Sequence, residues 1–258
     1  MAGPVRGEWL ANHREEGQTL AEFRQVGRRL TSKDSTCIAV VLIGRFTEAQ
    51  KKALALAMKH QEAVFAVPTQ IVAEIQDPEI HRLGRRVHPR SGHIQYDTRW
   101  IYMNILKPLH NKNYAALLGF TSTDLYPRPS WDFVFGIAYM KESIGLWSVA
   151  RFGRGDDSEA FRKQFLERSM STASHETAHL FGMAHCIAWD CLMNGSDSLE
   201  ESDRHPLVFC PSCQAKVNWL SRRNTVESLL KQREVLALGD LKKTITVLDQ
   251  RLACCGNP

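Results

Sequence analysis

One histidine-rich stretch constrains the fold of this chain more than any other feature. His175 and His179 are four residues apart, so on a helix both imidazoles leave the same face about one turn apart. Glu176 stands beside the first histidine and can hold a metal-bound water without binding the metal. Gly182 can adopt the positive φ that ends a helix, which lets the chain turn back and bring His185 to the same ion. Three histidine ligands leave a fourth position open, as in catalytic zinc sites.

Four cysteines follow this stretch in two closely spaced pairs. Cys186 and Cys191 are separated by four residues, and Cys210 and Cys213 by two. Both spacings are typical of zinc-binding turns, and the intervening loop is long enough to bring the pairs to one ion. The chain has 7 cysteines, an odd number that cannot all pair as disulfides. In a reducing compartment, closely spaced cysteines are more often metal ligands than disulfides. We predict a closed structural zinc site with four thiolates; two disulfides or four unrelated buried cysteines are the alternatives.

The extended spacing resembles that of a known clan of zinc peptidases. The stretch that ends at His185 matches the metzincin signature H-E-x-x-H-x-x-G-x-x-H, and Met193 lies where that clan places its Met-turn. The cysteines continue the pattern as they do in archaemetzincins, so the resemblance covers residues 175–213. It implies a zincin-like fold and a zinc-dependent peptidase with two zinc ions, one catalytic and one structural.

The resemblance also implies a mechanism. Zinc would polarise the scissile carbonyl and lower the pKa of bound water, and Glu176 would act as general base and then as general acid. Met193 would pack against the histidine ligands without binding metal. Aminopeptidase action on short peptides is the narrower implication. Some metzincins have a polar residue after the third histidine and a tyrosine after the Met-turn methionine, where this chain has Cys186 and Asn194. Stabilisation of the oxyanion must therefore come from zinc or from a residue that the sequence does not identify.

In metzincins, an edge strand pairs with the backbone of the bound peptide. The resemblance places this role on the aromatic and β-branched segment around Phe135, Gly136 and Ile137. An ordinary internal strand is the alternative, because edge status cannot be read from a sequence.

The rest of the pattern predicts an α/β fold. Residues 36–44 form an apolar, β-branched run typical of a strand covered on both faces. A helix is expected over residues 48–64, followed by a second strand near residues 64–67 that Pro68 ends. Strand, helix and strand in this order favour a mixed, mostly parallel sheet with flanking helices.

Further elements follow along the chain. Strands are expected at residues 119–123, 133–139 and 146–152, and the active-site helix begins after a cap at Asp156, Asp157 or Ser158 and carries the first two histidines near its end. Residues 224–252 have the apolar stripe of a C-terminal helix that packs on the core.

These elements suggest three parts. Residues 1–35 form a partly ordered N-terminal lead-in, and residues 36–182 form an upper catalytic subdomain with the sheet and the active-site helix. Residues 183–258 form a smaller lower subdomain with the Met-turn, the four-cysteine zinc site and the C-terminal helix. No role is assigned to Cys254 and Cys255.

The composition predicts an intracellular enzyme. The 258 residues are 43% hydrophobic, enough to bury a full core. No apolar run reaches the roughly 18 residues of a membrane span, and the first residues lack the apolar region of a signal peptide. We expect a cytoplasmic or nuclear monomer without a membrane partner.

Two other functions are compatible with the same residues. The first is a chromatin-associated metalloprotease that acts on DNA-bound proteins. The net charge of +5 is mild and no nucleic-acid recognition motif is visible, which counts against this function. We expect a peptide or protein substrate, and a nucleic-acid partner stays open only under this alternative. The second is a non-catalytic scaffold with two structural zinc ions. The intact Glu176 and the open fourth ligand position argue against it.

Overall fold

The structure is a computed structural model that describes residues 8–27, 29–30, 37–153 and 158–255. The helices are α1 (Trp9–Asn12), α2 (Leu20–Val26), α3 (Glu48–Phe65), α4 (Thr98–Ile101), α5 (Lys107–Leu109), α6 (Glu159–Leu180), α7 (Leu199–Ser202), α8 (Pro211–Ser221), α9 (Thr225–Leu238) and α10 (Lys242–Cys255). A π-helical segment, Tyr102–Leu106, connects α4 to α5. The strands are β1 (Ile38–Ile43), β2 (Thr69–Ile75), β3 (Arg85–Val87), β4 (Ile94–Asp97), β5 (Ala116–Thr121), β6 (Asp124–Tyr126), β7 (Gly136–Tyr139) and β8 (Ile144–Ser148).

The described residues divide into two compact units. The sheet unit falls within Thr31–Ala53 and Val67–Phe165, and the helical unit within Met1–Leu30, Leu54–Ala66 and Leu166–Pro258. This division is discontinuous along the chain, and both α3 and α6 contribute residues to each unit. The predicted division into residues 1–35, 36–182 and 183–258 has three continuous parts. It stays a prediction, because the two compact units do not test it.

The sheet unit contains a five-stranded sheet in the order β2-β1-β5-β8-β7. β7 runs antiparallel to β8, and every other neighbouring pair is parallel. The prediction of a mixed, mostly parallel sheet is therefore confirmed. All six residues of β1 are buried, as the continuous apolar run indicates for a strand covered on both faces. A second sheet in the same unit has the order β3-β4-β6.

The predicted second strand is misplaced. Residues 64–65 still belong to α3, whose end is marked by a positive φ of 57° at Ala66. The strand begins after Pro68, whose carbonyl oxygen accepts a hydrogen bond from the Ile38 backbone N–H at 2.8 Å. Proline has no N–H to donate but keeps its carbonyl, so Pro68 leads into β2 instead of ending it.

The helical unit contains the described part of the N-terminal lead-in. Within residues 1–35, residues 1–7, 28 and 31–35 lie outside the described residues. The rest includes α1 and α2, and α2 begins with a capping box between Thr19 and Glu22. Phe23 of α2 is fully buried and packs edge-on against Trp219 of α8, with ring centroids 5.6 Å apart. This part of the lead-in is thus packed structure.

Two boundaries differ from the expected ones. Residues 224–252 form two helices, α9 and α10, because the chain turns at Gly239 and at Asp240, which has a φ of 51°. The prediction of a single C-terminal helix was wrong, although both segments are helical. The predicted active-site helix is α6, which begins at Glu159, and the Ser158 hydroxyl accepts a hydrogen bond from the Phe161 N–H at 3.2 Å. Asp156 and Asp157, the other proposed caps, lie outside the described residues.

None of the described helices is long and apolar enough to cross a membrane.

A buried histidine of α3 supports α6, the helix that carries His175 and His179. His60 is fully buried, and its Nδ1 lies 2.9 Å from the hydroxyl oxygen of Ser174 on α6. Burial lowers the pKa of His60 to about 4, from the usual value of about 6.5. His60 is therefore neutral in the folded chain at every pH above about 4.

This depressed pKa predicts a loss of stability in mild acid. Between pH 6.5 and about 4 the unfolded chain binds a proton at His60 and the folded chain does not. Stability is therefore complete above pH 6.5 and falls with pH, by about 3 kcal/mol near pH 4. Thermal melting across this range should show a shallower pH dependence for His60→Gln than for the parent. His81→Gln, at an exposed histidine, is the control; equal slopes for all three proteins would contradict the account.

Candidate metal centres

The three predicted histidine ligands come together in the helical unit. His175 and His179 lie on the last part of α6, which ends at Leu180. Gly182 has a φ of 93°, as expected of the residue that reverses the chain after the helix. The reversal brings His185 to the other two, and one ring nitrogen from each histidine lies within 4.8 Å of the others.

The hydrogen bonds of the histidines fix which ring nitrogen can bind metal. In each of them Nδ1 faces an oxygen atom that can only accept. The pairs are His175 Nδ1 with Leu192 O at 2.7 Å, His179 Nδ1 with Met183 O at 2.6 Å, and His185 Nδ1 with Glu15 Oε1 at 2.6 Å. Nδ1 therefore carries the proton, and every Nε2 keeps its lone pair for a metal ion.

Two observations show that these residues fit a dication. The Nε2 atoms of His175 and His179 are 2.9 Å apart, although both are acceptors in these tautomers. A cation between them removes that repulsion, and two nitrogens on a tetrahedral zinc lie about 3.3 Å apart. In addition, Glu15 Oε2 is buried and has no hydrogen-bond partner among the described residues. A nearby dication offsets the cost of burying this carboxylate.

Burial keeps the three imidazoles neutral. It lowers the pKa of His175 well below the usual range, and it also lowers the pKa values of His179 and His185. The carboxylates of Glu15 and Glu176 oppose the shift at His185 without reversing it. Neutral imidazole is the form that binds metal, so the ligands need not lose protons at neutral pH.

The four predicted cysteines form a second cluster in the same unit. Cys186, Cys191, Cys210 and Cys213 are all buried, and their sulfur atoms lie within 4.8 Å of one another. The sulfur atoms of Cys186 and Cys210 are 3.7 Å apart, close to the roughly 3.8 Å between two thiolates on a tetrahedral zinc. None of the described cysteines forms a disulfide. The arrangement thus contradicts the disulfide alternative.

Without a cation, the four thiols of the cluster cannot all ionise. Hydrogen bonds from the thiols of Cys191 and Cys210 lower the pKa of Cys186, whereas the hydrogen bonds that Cys191 and Cys213 make to Cys186 raise their own pKa values. Backbone N–H groups also point at sulfur, from Cys210 to Cys191 Sγ at 3.1 Å and from Cys213 to Cys210 Sγ at 3.4 Å. Four thiolates this close would repel one another, and a zinc ion removes that repulsion. The donor set therefore fits a closed zinc site.

Comparison with known proteins identifies the family. Residues 89–219 match the model of peptidase family M54. The chain belongs to this family, the archaemetzincins. It is 28% identical to archaemetzincin-2 of Macaca fascicularis over 84% of this chain and 69% of that protein. It is 30% identical to the archaemetzincin of Saccharolobus solfataricus over 50% of this chain and 69% of that protein.

A solved archaemetzincin supports the same fold. The structure from Methanopyrus kandleri aligns with a TM-score of 0.53 at 25% identity, over 73% of this chain and 97% of that one. The zincin-like α/β fold implied by the sequence pattern is thereby confirmed. As an archaemetzincin, the chain is a zinc metallopeptidase, a hydrolase whose substrate is a peptide or protein.

The loop around Met193 joins the histidine cluster and the cysteine cluster of this archaemetzincin. Met193 is fully buried, and its carbonyl oxygen accepts a hydrogen bond from the Cys186 N–H at 2.7 Å. The preceding residue, Leu192, accepts from His175 through its carbonyl and donates its own N–H to Val208 O at 2.9 Å. A change in the cysteine cluster can therefore reach His175 through one residue, Leu192.

Asn194 occupies the position where some metzincins have a tyrosine. Its side-chain nitrogen donates to the carbonyl oxygens of Cys186 at 2.6 Å and Trp189 at 3.0 Å, and its side-chain oxygen accepts from the Cys191 N–H at 2.7 Å. These three hydrogen bonds hold together the loop that carries Cys186 and Cys191. Because both ends of the Asn194 amide are engaged in this loop, we give Asn194 no part in stabilising an oxyanion.

The predicted substrate strand belongs to the sheet unit. Gly136 and Ile137 open β7, which lies at the edge of the five-stranded sheet. Phe135 immediately precedes β7, and its carbonyl oxygen accepts from the Ser148 N–H at 2.8 Å. The expected edge position is therefore present. The pairing with a substrate stays a prediction.

Sequence reasoning missed the residues of the N-terminal segment that contact the third ligand and its turn. Glu15 accepts the hydrogen bond of His185 Nδ1–H. Gln18 donates to Gly182 O at 3.0 Å and accepts from the Ala184 N–H at 3.2 Å. These contacts join residues more than 160 positions apart, so no local spacing could have indicated them.

Proposed function

We propose that His175, His179 and His185 hold one catalytic zinc ion and that Glu176 carries the proton during hydrolysis of peptide bonds. The convergence of three imidazoles, each with its proton fixed on Nδ1 and its Nε2 left to bind metal, is the observation that supports this most strongly. The four cysteines are assigned a second, structural zinc ion. When bound, the catalytic zinc supplies a Lewis acid that polarises the peptide carbonyl and acidifies water.

The protein residues have separate tasks in this reaction. The histidines stay neutral because they are buried, and their hydrogen bonds hold the rings in one orientation. Glu176 is half-buried and adjoins the first ligand on α6. Its carboxylate takes a proton from the attacking water and then donates it to the leaving nitrogen, first as general base and then as general acid. Met193, which is fully buried, is assigned to supporting the histidine ligands by packing, without binding metal.

We further propose that the substrates are short peptides and that the enzyme removes their N-terminal residue. Phe135, Gly136 and Ile137 are assigned to pairing with the peptide backbone, because β7 has an unpaired edge within the five-stranded sheet. The enzyme is placed inside the cell, because a reducing compartment keeps four clustered thiols available for metal.

The test is digestion of a peptide panel in which each sequence is present with a free and with an acetylated N-terminus. Zinc-replete enzyme should release single residues from the free peptides, and acetylation should reduce the rate by at least about 10-fold, since a blocked amine cannot make charge-assisted bonds. Enzyme treated with chelator is the control. Internal cleavage of acetylated peptides would contradict the aminopeptidase assignment, and no cleavage of any peptide would contradict the substrate class.

A further inference from the structure

We propose that Glu15 is a positioning residue of the catalytic zinc site and that the N-terminal segment around it completes that site. The inference rests on the proposed zinc-binding role of the histidine triad. Glu15 Oε1 accepts the hydrogen bond of His185 Nδ1–H at 2.6 Å, a short distance typical of a charge-assisted bond. Glu15 lies outside the matched region, residues 89–219, so the segment adds to the histidine site from elsewhere in the chain.

His185 needs such support more than the other two ligands. His175 and His179 lie on α6, a helix that runs from Glu159 to Leu180. His185 follows the turn at Gly182 and lies outside regular secondary structure. The orientation of its ring therefore depends less on the backbone than on the hydrogen bond that Nδ1 makes. A bond from that nitrogen to a fixed acceptor selects the tautomer and the ring plane that a metal requires.

Glu15 differs from the acceptors at the other two ligands in its charge. The Nδ1 atoms of His175 and His179 donate to neutral backbone carbonyl oxygens, whereas that of His185 donates to a carboxylate. A carboxylate polarises the imidazole and makes it a stronger metal ligand. The buried Oε2 of the same residue has no hydrogen-bond partner among the described residues, so its negative charge is best compensated by the ion that His185 would hold.

The segment that carries Glu15 is itself anchored on both sides. Before it, the Trp9 N–H donates to Glu201 Oε1 at 2.9 Å, and Asn12 donates to Asp197 Oδ2 at 2.8 Å. After it, the Gln18 side chain bonds to the turn that leads to His185, and Lys216 Nζ lies 3.1 Å from Gln18 Oε1.

Gly17 adds a steric reason for this path of the chain. It has a φ of 71°, and a Cβ atom there would lie 2.9 Å from Ile187 Cγ1. Only glycine allows both this backbone conformation and this close approach without strain. Glu15 is therefore presented to His185 by a fixed segment.

The experiment measures metal binding at the histidine site in the full chain. Zinc affinity is obtained by competition with a chromophoric chelator that leaves the cysteine site loaded, and ligand geometry by the visible spectrum of cobalt(II) substituted at the same site. The variants are Glu15→Ala and Glu15→Gln. Glu16→Gln, at the exposed neighbouring carboxylate, is the matched control. His185→Ala defines the loss of the site.

Glu15→Ala should weaken zinc binding by about 10- to 100-fold, the range found when support of a metal-bound histidine is removed. Glu15→Gln keeps an acceptor for Nδ1–H but loses the charge, so its loss should be smaller and its cobalt spectrum close to the parent spectrum. The cobalt spectrum of Glu15→Ala should change, and Glu16→Gln should match the parent in both measurements.

Parental zinc affinity and cobalt spectrum in both Glu15 variants would overturn the inference. If Glu15→Ala does not fold, Glu15→Gln decides the question: weaker binding than in Glu16→Gln supports the role of the charge, and equal binding overturns it. A failure of the proposed function is distinguishable, because the parent would then contain no more zinc than His185→Ala.

Discussion

Glu176→Ala is expected to lower peptide turnover by roughly 10²- to 10⁴-fold, the usual contribution of a general acid–base group. The substitution removes the proton carrier and leaves His175, His179 and His185 in place, so zinc content should not change. The melting temperature should also stay close to that of the parent, because Glu176 is only half-buried. Turnover on one peptide, zinc analysis and thermal melting are measured together.

Two further variants test whether the loss of turnover comes from the loss of the proton carrier. Glu176→Gln has nearly the same shape but cannot accept a proton, so it should be as inactive as the alanine variant. Glu159→Ala removes an exposed carboxylate from the first turn of the same helix and should keep parental turnover. Parental turnover in Glu176→Gln would reject the catalytic assignment of Glu176.

Cys210→Ser is expected to remove one zinc ion and to destabilise the protein. Structural zinc binding contributes about 10–16 kcal/mol of apparent free energy in small zinc-dependent modules. Only part of that applies here, because the sheet unit has its own buried core. A loss of about 4 kcal/mol would lower the melting temperature by roughly 10 °C.

The choice of serine isolates the metal from the helix cap. Cys210 is the N-cap residue of α8, and its sulfur accepts a hydrogen bond from the Cys213 N–H. Serine is itself a good N-cap, so the helix start should survive. Cys255→Ser, at an exposed cysteine outside the cluster, is the control.

Turnover should also fall in Cys210→Ser. Cys186 adjoins His185, and Leu192 connects the cysteine loop to His175, so a loosened loop lets two ligands move. A Cys210→Ser protein that keeps two zinc ions and melts at the parental temperature would contradict the structural assignment.

The sequence was most informative where function depends on local spacing. The ligands His175 and His179 need only one helical turn, and His185 needs only the reversal at Gly182, so their convergence could be predicted from neighbouring residues. The same holds for the cysteine pairs, which come together as predicted. In the sheet, β1 was predictable because a strand buried on both faces is an unbroken apolar run.

Features set by distant contacts were not predictable. Glu15 and Gln18 act on residues far along the chain, and nothing in their local pattern differs from that of an exposed polar segment. The strands β3, β4 and β6 have three or four residues each, too few to show a period of two. The turn between α9 and α10 is different, because its signal is local: Gly239 is the C-cap residue of α9, and glycine after a helical segment is a typical helix stop.

The central claim is that a labile zinc ion at the histidine triad is responsible for peptide hydrolysis. It is tested most directly by counting zinc ions per chain and measuring turnover at each step of a chelator titration of the reduced, metal-replete enzyme. We predict two ions at the start and early loss of one, because its open position admits the chelator. Turnover should fall in proportion to that first loss and return when one equivalent of zinc is added. Turnover that persists after the first ion has left, or a single ion at the start, would contradict the account.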